Sequence, residues 1–416
     1  MDAQRVMVTG AGMATPIGIG RAAFDEGLRA NRSAIGERTL FDSARLRARL
    51  AAEIRDFQVE DYLETPKAFL DRHSELAFAG LSLALEDADI DPGGLAGNPR
   101  AGLTVGSACG NLGTMALFFS DLAAKGPRFV KPFLFPHTYA NTTISLLAME
   151  YGLKGPHWQF SSGSVASGHA VTAAFDMIRQ NRADLVFAGG VEALSEPMAA
   201  GLEATGRLSP TDGGPERCAP FDRARNGTVP GEGCAFLALE EAAQAERRGA
   251  RMLAELAGVG EGVVAEPGRD GGAGLERAMN QAMAQAGWTA DSVDWVCAAA
   301  NGSGAGDAGE AQALARVFAS RAEPVPVSSL QSMIGETLGA GHALRMCAAL
   351  SAMASGHVPF TVNLTECDPL PGVEFAMKEQ CARPVRRVLV NGADPGGSAV
   401  CLALAALRDE PGTSGR

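Results

Sequence analysis

The chain is predicted to be an α/β protein of two similar halves, each a set of mostly parallel strands covered by helices. Three observations lead there. Strand-like runs alternate with helix-spaced segments along nearly the whole sequence. The order of segments in residues 1–250 recurs in 251–416. In the first half, Gly155 to Glu192 (GPHWQFSSGSVASGHAVTAAFDMIRQNRADLVFAGGVE) turns from a short strand through small residues into a helix, then into a second strand. Alternation of this kind implies strands joined by crossover helices. A repeated unit implies two copies packed together, with their turns near one central cleft.

Taken in order, the first strand is Arg5 to Thr9. Gly10-Ala11-Gly12 begins like a dinucleotide-binding turn, but the next glycine is Gly18 and Pro16 interrupts the required helix, so it carries little weight. Residues 21 to 65 mix short helices with loops. Ser74 to Asp87 is an amphipathic helix. Leu103 to Gly106 is a strand that opens into the glycine-rich turn Ser107 to Gly113, with a helix beyond it to Ala124. Phe129 to Tyr139 holds Pro132 and Pro136 among aromatics and must be irregular. Ile144 to Tyr151 is helical. In the elbow, Trp158 to Phe160 suits a strand and Ser161 to Gly168 a turn. His169 to Arg182 has Val171, Ala174, Phe175 and Ile178 at helical spacing, and Leu185 to Ala188 is a strand. Residues 205 to 233 form a Gly/Pro/charge-rich excursion before the strand Cys234 to Glu240 and the charged helix Glu241 to Arg248.

The second half repeats this plan. Leu253 to Val259 parallels the first strand, and Gly274 to Ala286 is a helix like Ser74 to Asp87. Val293 to Ala300 leads into the glycine turn Asn301 to Gly306. Val325 to Ser328 leads through small residues into the helix Gly341 to Met353. Arg387 to Asn391 and Val400 to Leu404 match the two late strands of the first half.

Composition excludes several functions. The 416 residues are 46% hydrophobic and 20% charged, an ordinary globular balance. Apolar stretches are broken by Gly, Ser or charge, so none reads as membrane-spanning, and MDAQRVMVTGAG has no signal-peptide pattern. A net charge of −12 argues against nucleic acid or an anionic membrane as partner. Eight cysteines, scattered and without a CxxC pair, fit a reducing, cytoplasmic location and no metal site. The chemistry-bearing position is Ser164, a small side chain aimed at the positive end of a helix, where developing negative charge is stabilised.

Longer segments carry a family likeness. They are RVMVTGAGMATPIG, GPRFVKPFLFPHTYAN, YGLKGP, ADLVFAGGVEAL, APFDRARNGTVPGEG, GDAGEAQAL, QSMIGETLGAG and NGADPGGSAVCLAL. In these the chain resembles a β-ketoacyl-acyl carrier protein synthase, the elongating condensing enzyme of fatty-acid and type II polyketide synthesis. The resemblance implies a duplicated thiolase-like fold of five layers, α-β-α-β-α, with two mostly parallel sheets. Its N-terminal ketosynthase half would be 1–250 and its C-terminal half 251–416. No cofactor is implied, since acyl chains ride on the phosphopantetheine of a separate acyl carrier protein. Family members act through an elbow cysteine, two histidines and a nearby lysine. The cysteine takes the acyl group as a thiolate, favoured at a helix N-terminus.

This sequence departs at each of those positions. The nucleophile position is Ser164, the first histidine position Asn301, the lysine position Gln331 and the second histidine position Glu336. The Phe-rich glycine loop that gates active members is Ala393-Asp394-Pro395-Gly396-Gly397 here, while the supporting acids survive as Asp307 and Glu310. Ser164 needs a base, because a helix dipole alone does not make an alkoxide at pH 7. His169 lies roughly 140° round the helix from it, which leaves His137 and His342 as the histidines expected near the cleft. An ionised Glu336 would repel an enolate; burial would protonate it, or an arginine such as Arg345 would pair with it.

The resemblance therefore implies no confirmed catalytic residue. It points instead to the chain length factor, the non-condensing subunit that pairs with an active ketosynthase as a heterodimer and shapes the acyl tunnel. The glutamine that commonly replaces the cysteine in aromatic-polyketide factors is absent, and polyene systems use similar partners. Acyl-tunnel and interface residues would be Met115, Leu117, Phe118, Phe119, Phe133, Phe135 and Tyr139, with Trp158 and Phe160 in the interface segment Lys154 to Ser162. The carrier protein would dock mainly on the partner, because this chain is acidic. The alternatives are an acyltransferase, hydrolase or decarboxylase acting on carrier-bound thioesters through Ser164, and a homodimeric binder of acyl chains.

Overall fold

The computed structural model describes residues 4–42, 45–63, 65–264, 272–377 and 382–407. Its main sheet runs in the order Val373–Phe375, Val325–Ser329, Trp295–Ala298, Arg387–Ala393, Ser398–Ala405, Ala254–Val263, Val6–Thr15, Gly233–Glu241, Leu185–Glu192, Ala101–Gly106, His157–Phe160. Numbered along the chain within each half, the spatial order is first, fifth, fourth, second, third, and the second half adds Val373–Phe375 at its outer edge. The duplication read from the sequence is thus present in the topology.

In each half the outer strands pair parallel and the three nearest the centre (first, fifth and fourth) pair antiparallel. The halves meet through three antiparallel residue pairs, Val6 with Leu256, Met7 with Glu255 and Val8 with Ala254. The two expected sheets therefore share one continuous hydrogen-bonded path, and the parallel character belongs to their outer parts.

Five layers follow from what the helices bury. Ala166–Arg179 and Gly341–Ser355 are almost wholly buried and lie in one core with strands of both halves. Arg72–Asp87 covers the other face of the first half with Phe78, Leu81 and Leu85. Ala273–Ala286 and Gly304–Phe318 cover the far face of the second half with Leu275, Met279, Leu314 and Phe318. Asp71 caps the helix Arg72–Asp87 by accepting the Ser74 N–H at 2.9 Å, as an N-cap carboxylate does.

The first strand is longer than Arg5 to Thr9. It continues through Gly10-Ala11-Gly12 to Thr15 with all ten residues buried. A Cβ on Gly10 would stand 2.6 Å from the Ala88 nitrogen, and one on Gly12 2.1 Å from the Ala84 nitrogen. These glycines let a helix lie against the strand and form no phosphate turn; the Ala11 N–H is already given to Asp87 at 2.9 Å. Among the described residues no helix is long and apolar enough to cross a membrane.

Candidate functional site: a sealed elbow and an exposed aromatic face

The strand His157–Phe160 pairs parallel with Leu103–Gly106 and ends at the elbow. Gly163–Val165 forms a single tight turn, and the helix begins at Ala166, earlier than its apolar spacing indicates. The small residues there are needed for contact between the two central helices. A Cβ on Gly168 would lie 2.4 Å from His342 Nδ1, and Ser167 Oγ accepts the Ala343 N–H at 3.1 Å. The elbow thus sits against the second half, as two packed copies require.

Ser164 is 7% exposed, and its buried Oγ has no hydrogen-bond partner. Its backbone N–H donates to Asp394 Oδ2 at 2.8 Å. None of the six histidines bonds the hydroxyl. His169 Nδ1 lies 2.7 Å from Ser162 Oγ, and its Nε2 3.8 Å from Glu261. His342 donates from Nε2 to the Val390 carbonyl at 2.9 Å, and burial holds it well below the usual imidazole range, so it is neutral. His73 sits between Thr143 and Ser107 and is pushed by burial down to about 4. His137 lies 3.8 Å from Asp71, with its ring edge-on to Phe69. His157 Nδ1 meets the Gly155 carbonyl at 2.6 Å, and the His357 Nε2 is buried without a partner.

The second-half positions face one another. Asn301 Nδ2 donates to Glu336 Oε2, and Glu336 Oε1 accepts the Leu338 N–H at 2.8 Å. The expected Arg345 pairing is replaced by this one: Arg345 gives its Nε to the Asn391 carbonyl at 2.9 Å and feels Glu336 only through space. Gln331 turns back on Ser329, its N–H donating to that hydroxyl at 3.2 Å. Asn301 and Glu336 are therefore satisfied by each other, where a histidine pair would direct N–H groups at a thioester oxygen.

Asp307 and Glu310 have a structural role that does not depend on those histidines. Asp307 accepts the N–H groups of Asn301 (3.0 Å) and Phe221 (2.8 Å), and burial pushes it up to about 7. Glu310 accepts those of Ala299 (3.1 Å) and Ala300 (2.7 Å) and the Asn391 amide (2.9 Å), and burial raises it too. Together they fix the backbone of 299–302.

The aromatic set of the first half divides by burial. Phe119, Phe133, Phe135, Tyr139 and Trp158 are exposed, with values of 40–55%. Leu117 is exposed beside them, whereas Met115 and Phe160 are half-buried. Phe118 is core at 7%, packed on Phe119 and Phe135 with ring centroids 5.5 and 5.6 Å apart. His157–Phe160 is an edge strand, and Trp158 stands on it with the Arg182 guanidinium 5.5 Å from its ring. Two features were not legible from residue types. Met149 is a further exposed apolar side chain, and Asp394 reaches the elbow from 230 positions away. The only sign of the second was an acid within a glycine loop.

Comparison with known proteins agrees with this fold. Residues 3–245 match the family model described as Beta-ketoacyl synthase, N-terminal domain, and residues 256–365 its C-terminal domain. The chain is 30% identical to a 3-oxoacyl-acyl-carrier-protein synthase 2 of Coxiella burnetii, covering 98% of this chain and 100% of that one. It is 33% identical to the tetracenomycin polyketide synthase ketoacyl synthase alpha subunit of Streptomyces glaucescens, covering 96% and 97%. Among solved structures, the ishigamide ketosynthase/chain length factor superposes with a TM-score of 0.91 at 28% identity, covering 98% of this chain and 100% of that chain. With both halves matched in order and the fold shared end to end, this chain belongs to the β-ketoacyl synthase family.

Proposed function

We propose that this chain is a non-condensing, chain-length-factor-like subunit. It pairs with an active β-ketoacyl synthase in a type II polyketide, polyene or fatty-acid-like pathway and walls part of the acyl tunnel. One observation carries this: Ser164 Oγ lacks a base while Asn301 and Glu336 are bonded to each other, and by the sequence resemblance these three stand where condensing members hold cysteine and two histidines. A hydroxyl without a base is no nucleophile at neutral pH, and a carboxylate beside the thioester disfavours the enolate that decarboxylation produces.

The exposed aromatic face supports the pairing. Monomers rarely leave large contiguous apolar patches open, and aromatics anchor interfaces. The partner supplies the thiolate and, in this reading, most of the docking surface for the acidic carrier protein, which a chain at −12 attracts poorly. The carrier's phosphopantetheine brings the acyl chain. A cytoplasmic location goes with that role.

The test is co-expression with a cysteine-bearing ketosynthase, followed by purification through a tag on one subunit and carrier-dependent elongation assays. The pair should co-purify and elongate, and the pure chain should not. Elongation by the pure chain that disappears in Ser164→Ala would overturn the proposal.

A further inference from the structure

We infer that Asp394 is an internal stopper of the elbow: its carboxylate occupies the backbone donor that an acyl thioester needs for attack at residue 164, so the loop Ala393–Gly397 closes the site to thioester carbonyls. This rests on the elbow being non-condensing and names the group that keeps it so.

The geometry is built for a carboxylate. Asp394 Oδ2 accepts the Ser164 N–H at 2.8 Å, just before the helix Ala166–Arg179, where unpaired N–H groups carry positive potential. Gly163 has φ of 65°, and a Cβ there would stand 2.0 Å from Oδ2, so glycine is required for the carboxylate to seat. The other oxygen is held within its own loop. Oδ1 accepts the Gly396 N–H at 2.7 Å, the Asp394 N–H donates to the Ser398 carbonyl at 2.8 Å, and the Gly397 N–H donates to the Asp394 carbonyl at 2.9 Å. Beside the occupied donor, the Ser164 hydroxyl is more than nine-tenths buried with no partner. An unused polar group next to a filled anion position describes a reaction site whose carbonyl pocket is already taken.

The physical consequence is twofold. Attack on a thioester moves negative charge onto its carbonyl oxygen, which backbone N–H donors stabilise. Here the donor is engaged and a fixed negative charge stands where that oxyanion would form. The same charge disfavours a thiolate at residue 164, so restoring a cysteine alone leaves the elbow shut.

The test uses the pure full-length chain in the Ser164→Cys background. Iodoacetamide, a neutral probe, alkylates the thiolate with loss of iodide, and peptide mass spectrometry separates position 164 from the native cysteines. Ser164→Cys should react at least about tenfold more slowly than Ser164→Cys/Asp394→Ala, a factor equivalent to about one unit of thiol pKa. Asp394→Asn keeps an acceptor oxygen and removes the charge, so its rate should fall between the two. Equal rates for Ser164→Cys with and without Asp394→Ala would overturn the inference. If Asp394→Ala unfolds, an Asp394→Asn variant with native melting and no gain in rate would overturn it as well. No partner is present, so a negative result here leaves the pairing proposal standing, and a failure to pair leaves these rates equally readable.

Discussion

Replacing Trp158 with aspartate tests the proposed interface at its most informative point. Trp158 stands on the edge strand His157–Phe160 and keeps 40% of its surface exposed. A covered aromatic of this size buries ~250 Å². Covering the exposed share would therefore remove roughly 100 Å² from water, about 2.5 kcal/mol at ~25 cal/mol per Å². That corresponds to a roughly 60-fold rise in Kd, and the aspartate adds the cost of desolvating a charge. Inside the chain the ring also loses its covered share, about 150 Å² or roughly 4 kcal/mol by the same coefficient, which includes the Arg182 guanidinium at 5.5 Å and the Phe160 ring at 6.4 Å. Trp158→Asp should separate the complex in sedimentation velocity at micromolar concentration under conditions where near-ultraviolet circular dichroism shows the variant folded. A folded variant whose affinity for the partner changes less than twofold would refute the assignment of this strand to the interface.

Three further outcomes are expected. Ser164→Cys alone should give no condensation above background in a carrier-dependent assay, since Asn301 and Glu336 stay bonded to each other; elongation by that single variant would show that the histidine positions are dispensable. Within the helix Leu112–Lys125, Phe119→Ala should lengthen the product of the reconstituted pair by one or more two-carbon units with little change in Tm, whereas buried Phe118→Ala should cost about 3–5 kcal/mol of stability in urea unfolding; an unshifted product from Phe119→Ala and from the equivalent Phe133, Phe135 and Tyr139 variants would remove this subunit from chain measurement. Burial pushes Glu192 and Asp307 up to about 7, so the folded chain holds these protons more tightly than the unfolded chain does; the stability they contribute is complete below the ordinary carboxylate range and is lost as pH rises to about 7, which Glu192→Gln should partly flatten in urea midpoints measured from pH 5 to pH 8.

Much of the fold was legible because its signals are local. Helical spacing marked Ser74 to Asp87 and Gly341 to Met353, and the repeat of segments announced the duplicated topology. Boundaries slipped where a distant contact overrides local preference. Gly10 and Gly12 read as a turn, yet they lie within a strand because the backbone at Ala84 and Ala88 needs the room. Ser167 and Gly168 are weak helix formers that become helical against His342 and Ala343. At the site, the residue types at 164, 301, 331 and 336 were readable as departures from the resembled pattern, but their partners were not. That Glu336 meets Asn301 rather than Arg345 is settled by side-chain packing between segments 35 residues apart. Along the helix Leu112–Lys125, both phenylalanines read as tunnel candidates. Their rotation about the axis buries Phe118 and leaves Phe119 open.

The edge strand and the exposed aromatics also bear on how the chain fares on its own. Trp158, Phe119, Phe133, Phe135, Tyr139 and Met149 present wet apolar surface, and His157–Phe160 has a neighbouring strand on one side only. Such a surface adheres to copies of itself as readily as to any other partner. On the proposed pairing, a surplus of this polypeptide would be prone to clumping or digestion. If the chain is one of a pair, as proposed, matched synthesis of the two subunits with capture soon after release from the ribosome would make dosage rather than affinity limit how many complexes accumulate.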